Sequence, residues 1–191
     1  MRQKIKIQQM RALIKTVNDF LGEYDPKFAG KIPNELCLGT GIQEGGNYSF
    51  IKQYTNNSID GVGCSYWQVE PATHNDNWQS YLKYRPELAK KFLILAGERI
   101  IFEELPEENH EGFIKNYIEN ERYKSKTDDV LIHTLPYAIA HCRLWYYRQN
   151  FKMPEYFDLE EIANIWKTYY NTKDGAGTVE EFIHNYENYA K

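Results

Sequence analysis

The chain has 191 residues, 42% of them apolar and 26% charged, with a formal net charge of −4. That size and balance fit one domain with an ordinary core and exclude a disordered chain; the longest apolar runs, such as Phe92–Ala96, are far too short to span a membrane. The negative charge argues against a nucleic-acid partner, which needs a basic face, and against capture of an anionic polymer by charge alone.

Residues 1–10 are basic but have no apolar core segment or small-residue cleavage site, so no secretory leader is expected. Met10, Leu13, Ile14, Val17 and Leu21 recur at three- and four-residue steps, which predicts an amphipathic first helix ended by Gly22. Pro33 is placed to open a second, short helix that Gly45-Gly46 closes, with Glu44 in its last turn. From Asn47 to Ser65 the periodicity is lost, and Asp60-Gly61-Val62-Gly63 predicts a loop or small hairpin. Helices are expected to resume after Thr73, after Pro86, and from Asp128 to about Tyr147, with a kink or break at Pro136. Asp158–Glu161 and Thr178–Glu181 both match a capping box and should each start a helix. Tyr169 to Gly177, between them, reads as a tight loop. The expectation is a mainly α single domain over residues 1–191, with one irregular insertion.

Other features read as structural. Cys37, Cys64 and Cys142 are odd in number and lack CxxC spacing, so a reducing site of synthesis is expected rather than a disulfide framework. The five histidines form no tight ligand motif; His133 and His141 would share a helix face without a third ligand, and no metal or other cofactor is expected. The acidic run from Glu103 to Glu111 reads as solvated, and Trp145-Tyr146-Tyr147-Arg148 as core packing. Asn47 and Asn56 head glycosylation-type triplets that carry little weight without a leader. Aromatics reach 15%, led by 16 Tyr, whose flat faces and polar rims suit sugar stacking and wet subunit contacts equally.

The chemistry centres on Gly39-Thr-Gly-Ile-Gln-Glu44-Gly45-Gly46 and, about twenty residues on, Ser65-Tyr66-Trp67-Gln68-Val69-Glu70-Pro71-Ala72-Thr73. A helix C-terminus carries partial negative charge, which disfavours an ionised carboxylate at Glu44. Burial beside Leu36, Leu38 and Ile42 would act the same way and keep its proton on near neutral pH. A protonated carboxylic acid is what glycosidic cleavage needs, because the leaving oxygen must be protonated as the bond breaks. A solvated glutamate that merely precedes a helix cap is the alternative.

These two segments, followed by Tyr170-Asn171 with Gly175 and Gly177, resemble the lytic transglycosylases, lysozyme-like enzymes that cut the peptidoglycan strand. That family's pattern is a Glu at a helix end, usually Glu-Ser, then a Gly-x-x-Gln-x-x-Pro-x-Thr turn, then a Tyr-Asn-x-Gly-like loop. The three elements occur here in that order over about residues 33–182, and the overall form is most similar to phage and prophage members. Three positions depart from the pattern: Gly45 for the usual Ser, Ser65 for the usual Gly, and Glu70 for an apolar residue.

The resemblance implies a lysozyme-like domain in which Glu44 is the catalytic acid/base on the MurNAc–GlcNAc bond. Gln68, Tyr66, Trp67, Thr73, Tyr170 and Asn171 would bind substrate, with Tyr66, Trp67 and Tyr170 as stacking surface. Glu70 and Asp60 are candidate second carboxylates for a hydrolytic variant, although Glu70 also reads as a helix-entry acid. The expected partners are a glycan strand and, for a phage protein, other virion proteins, with no nucleic acid and no membrane span. Synthesis in a host cytoplasm and action at the wall, delivered by a holin or the virion, would follow. The rival from another class is a virion scaffold that keeps the fold and has lost activity; a freely acting endolysin is the third reading.

Overall fold

A computed structural model of the chain describes residues 2–53, 61–172 and 175–190; Asp60 and the Asn56 triplet lie outside them. Helix α1 (Arg2–Gly22) buries Ile7, Ile14, Val17 and Leu21 and leaves Met10 and Leu13 half-covered, as the stripe predicts. Helix α2 (Lys31–Glu44) begins two residues before Pro33, which occupies the first turn, where a missing N–H costs nothing. Mid-helix Gly39 and Gly41 are each crossed by an aromatic ring: a Cβ would meet the Phe182 ring at 2.4 Å and the Tyr48 ring at 2.6 Å. Close ring packing is what offsets the helix propensity lost at those glycines.

After the insertion, α3 (Pro71–Asp76) runs into a π turn, Asn77–Tyr81. It is followed by α4 (Pro86–Leu93), α5 (Arg99–Glu104) and α6 (His110–Glu119). The break expected at Pro136 is present: the stretch is two helices, α7 (Thr127–His133) and α8 (Leu135–Arg148), parted at Thr134, because Pro136 has no N–H for the Ile132 carbonyl and its ring would clash with it in a continuous helix. His133 and His141 therefore sit on different helices and share no face, contrary to the expectation. Helix α9 (Leu159–Trp166) is capped by Asp158, whose side chain accepts from the Glu161 N–H, and α10 (Val179–Tyr189) by a complete capping box of Thr178 and Glu181. A second correction concerns Tyr169–Asn171. They are not loop but part of a π turn, Lys167–Asn171, that prolongs α9.

Helix α8 is the centre of the core. Residues 137–144 and Tyr146 are all buried, as expected for a helix apolar on every side. Even Arg143 is enclosed: its Nε donates to the Phe28 carbonyl at 3.0 Å, and burial holds its pKa below the ordinary value. The Arg11 guanidinium pairs with both oxygens of Glu35 (3.0 and 3.1 Å) and also donates to the Ala190 carbonyl at 2.6 Å, joining α1, α2 and the end of α10. The architecture is mainly α, and among the described residues pairing in the insertion is limited to two isolated bridges, Lys52 with Cys64 and Cys64 with Val69. Among the described residues, no helix is long and apolar enough to cross a membrane.

Candidate functional site

Glu44 ends α2, and Gly45 follows as its cap. Its Oε1 accepts a hydrogen bond from the indole N–H of Trp166, at 2.8 Å, across from the end of α9. Burial pushes its pKa above the ordinary carboxylate value, and the indole donor, which favours the charged form, offsets this only in part. Tyr146 lies close enough to sense Glu44's charge; its hydroxyl is paired with Thr40, one turn before Glu44, at 2.8 Å. Tyr170 senses the same charge.

Gly45 is required by its surroundings. A Cβ there would lie 2.6 Å from the Tyr66 carbonyl oxygen and 3.0 Å from the Tyr66 Cα. The glycine is what lets the 65–69 turn close against the end of α2. That turn is pinned by reciprocal backbone hydrogen bonds between Cys64 and Val69 (3.0 and 2.8 Å). Ser65 (φ 63°) and Gln68 (φ 49°) both take left-handed backbone, a conformation that glycine adopts without strain. Here the Ser65 hydroxyl oxygen accepts from the Trp67 N–H at 3.3 Å.

The motif residues separate into two groups. Gln68, Glu70 and Thr73 converge with Tyr170 and Asn171 on one cavity of about 330 Å³, and helix α8 adds His141 and Trp145 to its lining. Glu44 is not in the lining; Tyr170 connects it to the cavity, standing near the carboxylate and in the wall at once. The Gln68 amide donates to the carbonyls of Ser65 (2.8 Å) and Phe50 (3.2 Å), so it braces the turn and the insertion. Asn171 accepts from Lys167 at 2.8 Å, and Lys167 also donates to the Gly175 carbonyl at 2.8 Å.

Trp67 departs from the expectation of a stacking surface. It is 0% exposed, and its indole N–H donates to the Cys37 carbonyl at 2.8 Å, so it is a core residue. Tyr66 is half-buried edge-on to Tyr48 and is not part of the lining. Tyr170 is stacked on Tyr146 and donates to the Trp67 carbonyl at 2.6 Å, which fixes its ring as a wall. Glu70 is exposed at the N-terminus of α3 and lines the cavity; the other candidate second carboxylate, Asp60, lies outside the described residues.

Sequence reasoning missed the buried polar cluster behind this cavity. His74 donates from Nδ1 to Asn75 Oδ1 (3.0 Å) and accepts at Nε2 from the Tyr137 hydroxyl (2.7 Å), which in turn accepts from the Trp78 indole (2.8 Å). Burial lowers the His74 pKa to about 4, and the His141 pKa falls well below its ordinary value. Tyr137 lies 63 residues beyond His74 and 59 beyond Trp78, so no local signal marks this contact. Among the described residues, no three His, Cys, Asp or Glu side chains come together as a metal site. No family model, no curated protein and no solved structure matches the chain.

Proposed function

We propose that the chain is a lysozyme-like enzyme that cleaves peptidoglycan glycan strands as a lytic transglycosylase, with Glu44 as its single acid/base. The observation that carries this reading is Glu44 itself, a lone carboxyl at a helix end, its pKa raised by burial and one oxygen oriented by Trp166. Its other oxygen takes no hydrogen bond from a described residue, which leaves it to carry the reacting proton. Backbone strain supports the same location. Of the seven non-glycine residues with positive φ among those described, Asn47, Tyr48, Ser65, Gln68 and Thr172 flank this site.

Glu44 would donate its proton to the glycosidic oxygen between N-acetylmuramic acid and N-acetylglucosamine as that bond breaks. The resulting carboxylate would take the proton of the muramoyl 6-hydroxyl, whose oxygen bonds to the anomeric carbon. The products are a free 4-hydroxyl and a 1,6-anhydro end, and no water is consumed. Phage origin, and delivery to the wall by a holin or within the virion, belong to the same proposal.

Glu70, exposed on the cavity wall, favours one second reading, a muramidase in which it activates water. Digestion of purified peptidoglycan by wild type and Glu44→Gln, with products weighed by mass spectrometry, separates the readings. Anhydro-muropeptides from wild type alone are the expected result. Reducing ends one water heavier would shift the assignment to the hydrolase, and equal, absent digestion by both proteins would leave a virion scaffold.

A further inference from the structure

A second cavity, of about 400 Å³, shares no lining residue with the one that Tyr170 connects to Glu44. One wall ends the π turn Ile94–Glu98, where Gly97 takes left-handed backbone (φ 105°) and Glu98 follows half-buried. The facing segment, 121–126, supplies Arg122, Tyr123 and Lys126. Left-handed backbone at two non-glycine residues, Glu121 (φ 50°) and Lys126 (φ 58°), bounds it. Tyr123, buried and stacked on Trp78 (centroids 5.6 Å apart), and the Thr127 hydroxyl, which donates to the Tyr123 carbonyl at 3.2 Å, hold this strained turn in place. The floor offers little polar capacity. The Tyr137 hydroxyl is committed to His74 and the Trp78 indole, and burial keeps His74 uncharged at neutral pH.

The charges around this cavity are left unanswered by the fold. Among the described residues Glu98 takes no hydrogen bond or ion pair, and neither Arg122 nor Lys126 meets a carboxylate within ion-pair distance. The Arg122 guanidinium lies 5.6 Å from the centre of the Tyr117 ring, another wall residue, and the Tyr117 hydroxyl feels Arg122 and Glu98 at once. Opposite charges thus approach one hydroxyl without pairing. A half-buried carboxylate without a partner is a cost that a ligand cation removes.

We propose that this cavity binds a free α-amino acid with an apolar side chain, its carboxylate on Arg122 and Lys126, its ammonium on Glu98, and its side chain against Tyr117, Val130 and Tyr137. A simple anion would be repelled by Glu98 and a simple cation by the two basic residues, so a ligand carrying both signs fits best. The volume is at the small end of ligand cavities, which suits one amino acid rather than a peptide. Apolar walls with a few convergent charged groups are the usual composition of such a site.

The test is calorimetric titration of the full chain with L-leucine, with leucinamide, which lacks the carboxylate, and with N-acetyl-leucine, which lacks the ammonium. L-Leucine should bind about tenfold more tightly than either analogue, since each has lost one charge pair. Glu98→Gln should weaken L-leucine about tenfold without weakening N-acetyl-leucine, and Arg122→Gln should weaken L-leucine without weakening leucinamide. No saturable heat with L-leucine, equal binding of all three compounds, or an unaltered L-leucine affinity in either variant would overturn the site. The comparison of the three compounds on wild type stands even where a variant fails to fold, and it is independent of wall digestion.

Discussion

Gly45→Ser restores the hydroxyl that the motif resemblance leads one to expect, and the structure predicts that it harms the protein. The new Cβ would sit 2.6 Å from the Tyr66 carbonyl oxygen and 3.0 Å from its Cα, both backbone atoms in a turn held by hydrogen bonds on either side. Neither can swing away as a side-chain tip would, so the turn must move off the end of α2 or the helix must fray. Forced overpacking of this kind costs about 1–3 kcal/mol. In a chain of this size each kcal/mol lowers Tm by roughly 2–4 °C. The same shift displaces Glu44, one residue away, from the Trp166 indole, so wall digestion should fall as well. Thermal unfolding followed by circular dichroism, with turbidity clearing of a wall suspension, measures both. A variant that melts with wild type and digests faster would refute the reasoning and mark Gly45 as a lost catalytic feature.

Three further outcomes follow from the buried groups. Because burial raises the Glu44 pKa above the ordinary value of 4.5, ionisation there opposes folding: the penalty is absent below pH 4.5, where folded and unfolded chains are both protonated, and complete above the raised folded value. Glu44→Gln should accordingly be more stable than wild type at pH 7 in urea unfolding, with the gain gone at pH 4; a gain that persists at pH 4 would argue against burial as its cause. Trp166→Phe removes the one donor that lowers the Glu44 pKa, so the alkaline limb of the digestion–pH profile should move to higher pH, and an unmoved limb would separate Trp166 from the acid. Tyr137→Phe strands both His74 Nε2 and the Trp78 N–H in the core, at about 1–3 kcal/mol each, so a urea midpoint close to wild type would contradict the assigned network.

Legibility in the sequence followed the range of the interactions involved. The α1 stripe, the Pro136 break and the Thr178–Glu181 box are set by neighbours within one or two turns, and each is found where the pattern puts it. The π turn at Lys167–Asn171 was not readable, because Lys167 reaches both Asn171 and the Gly175 carbonyl, eight residues on, and no sequence pattern marks that pairing. Trp67, expected as a stacking surface, and Trp145, expected in the core, are found the other way round, Trp67 buried and Trp145 half-buried on the cavity wall. Both lie in aromatic clusters, and the partner that holds Trp67 in the core, the Cys37 carbonyl, is thirty residues before it and leaves no local sign.

The motif departures bear differently on activity once their surroundings are known. Read alone, the missing hydroxyl at residue 45 favours a decayed site. The Tyr66 backbone occupies the space where that side chain would go, so the glycine belongs to a tighter junction between α2 and the 65–69 turn. Ser65 takes a glycine-like backbone and compensates locally by accepting from the Trp67 N–H. Neither change removes a group from around the acid. The choice between enzyme and scaffold therefore rests on Glu44: a carboxyl buried with a single donor opposes folding at neutral pH, and a scaffold has no use for that cost.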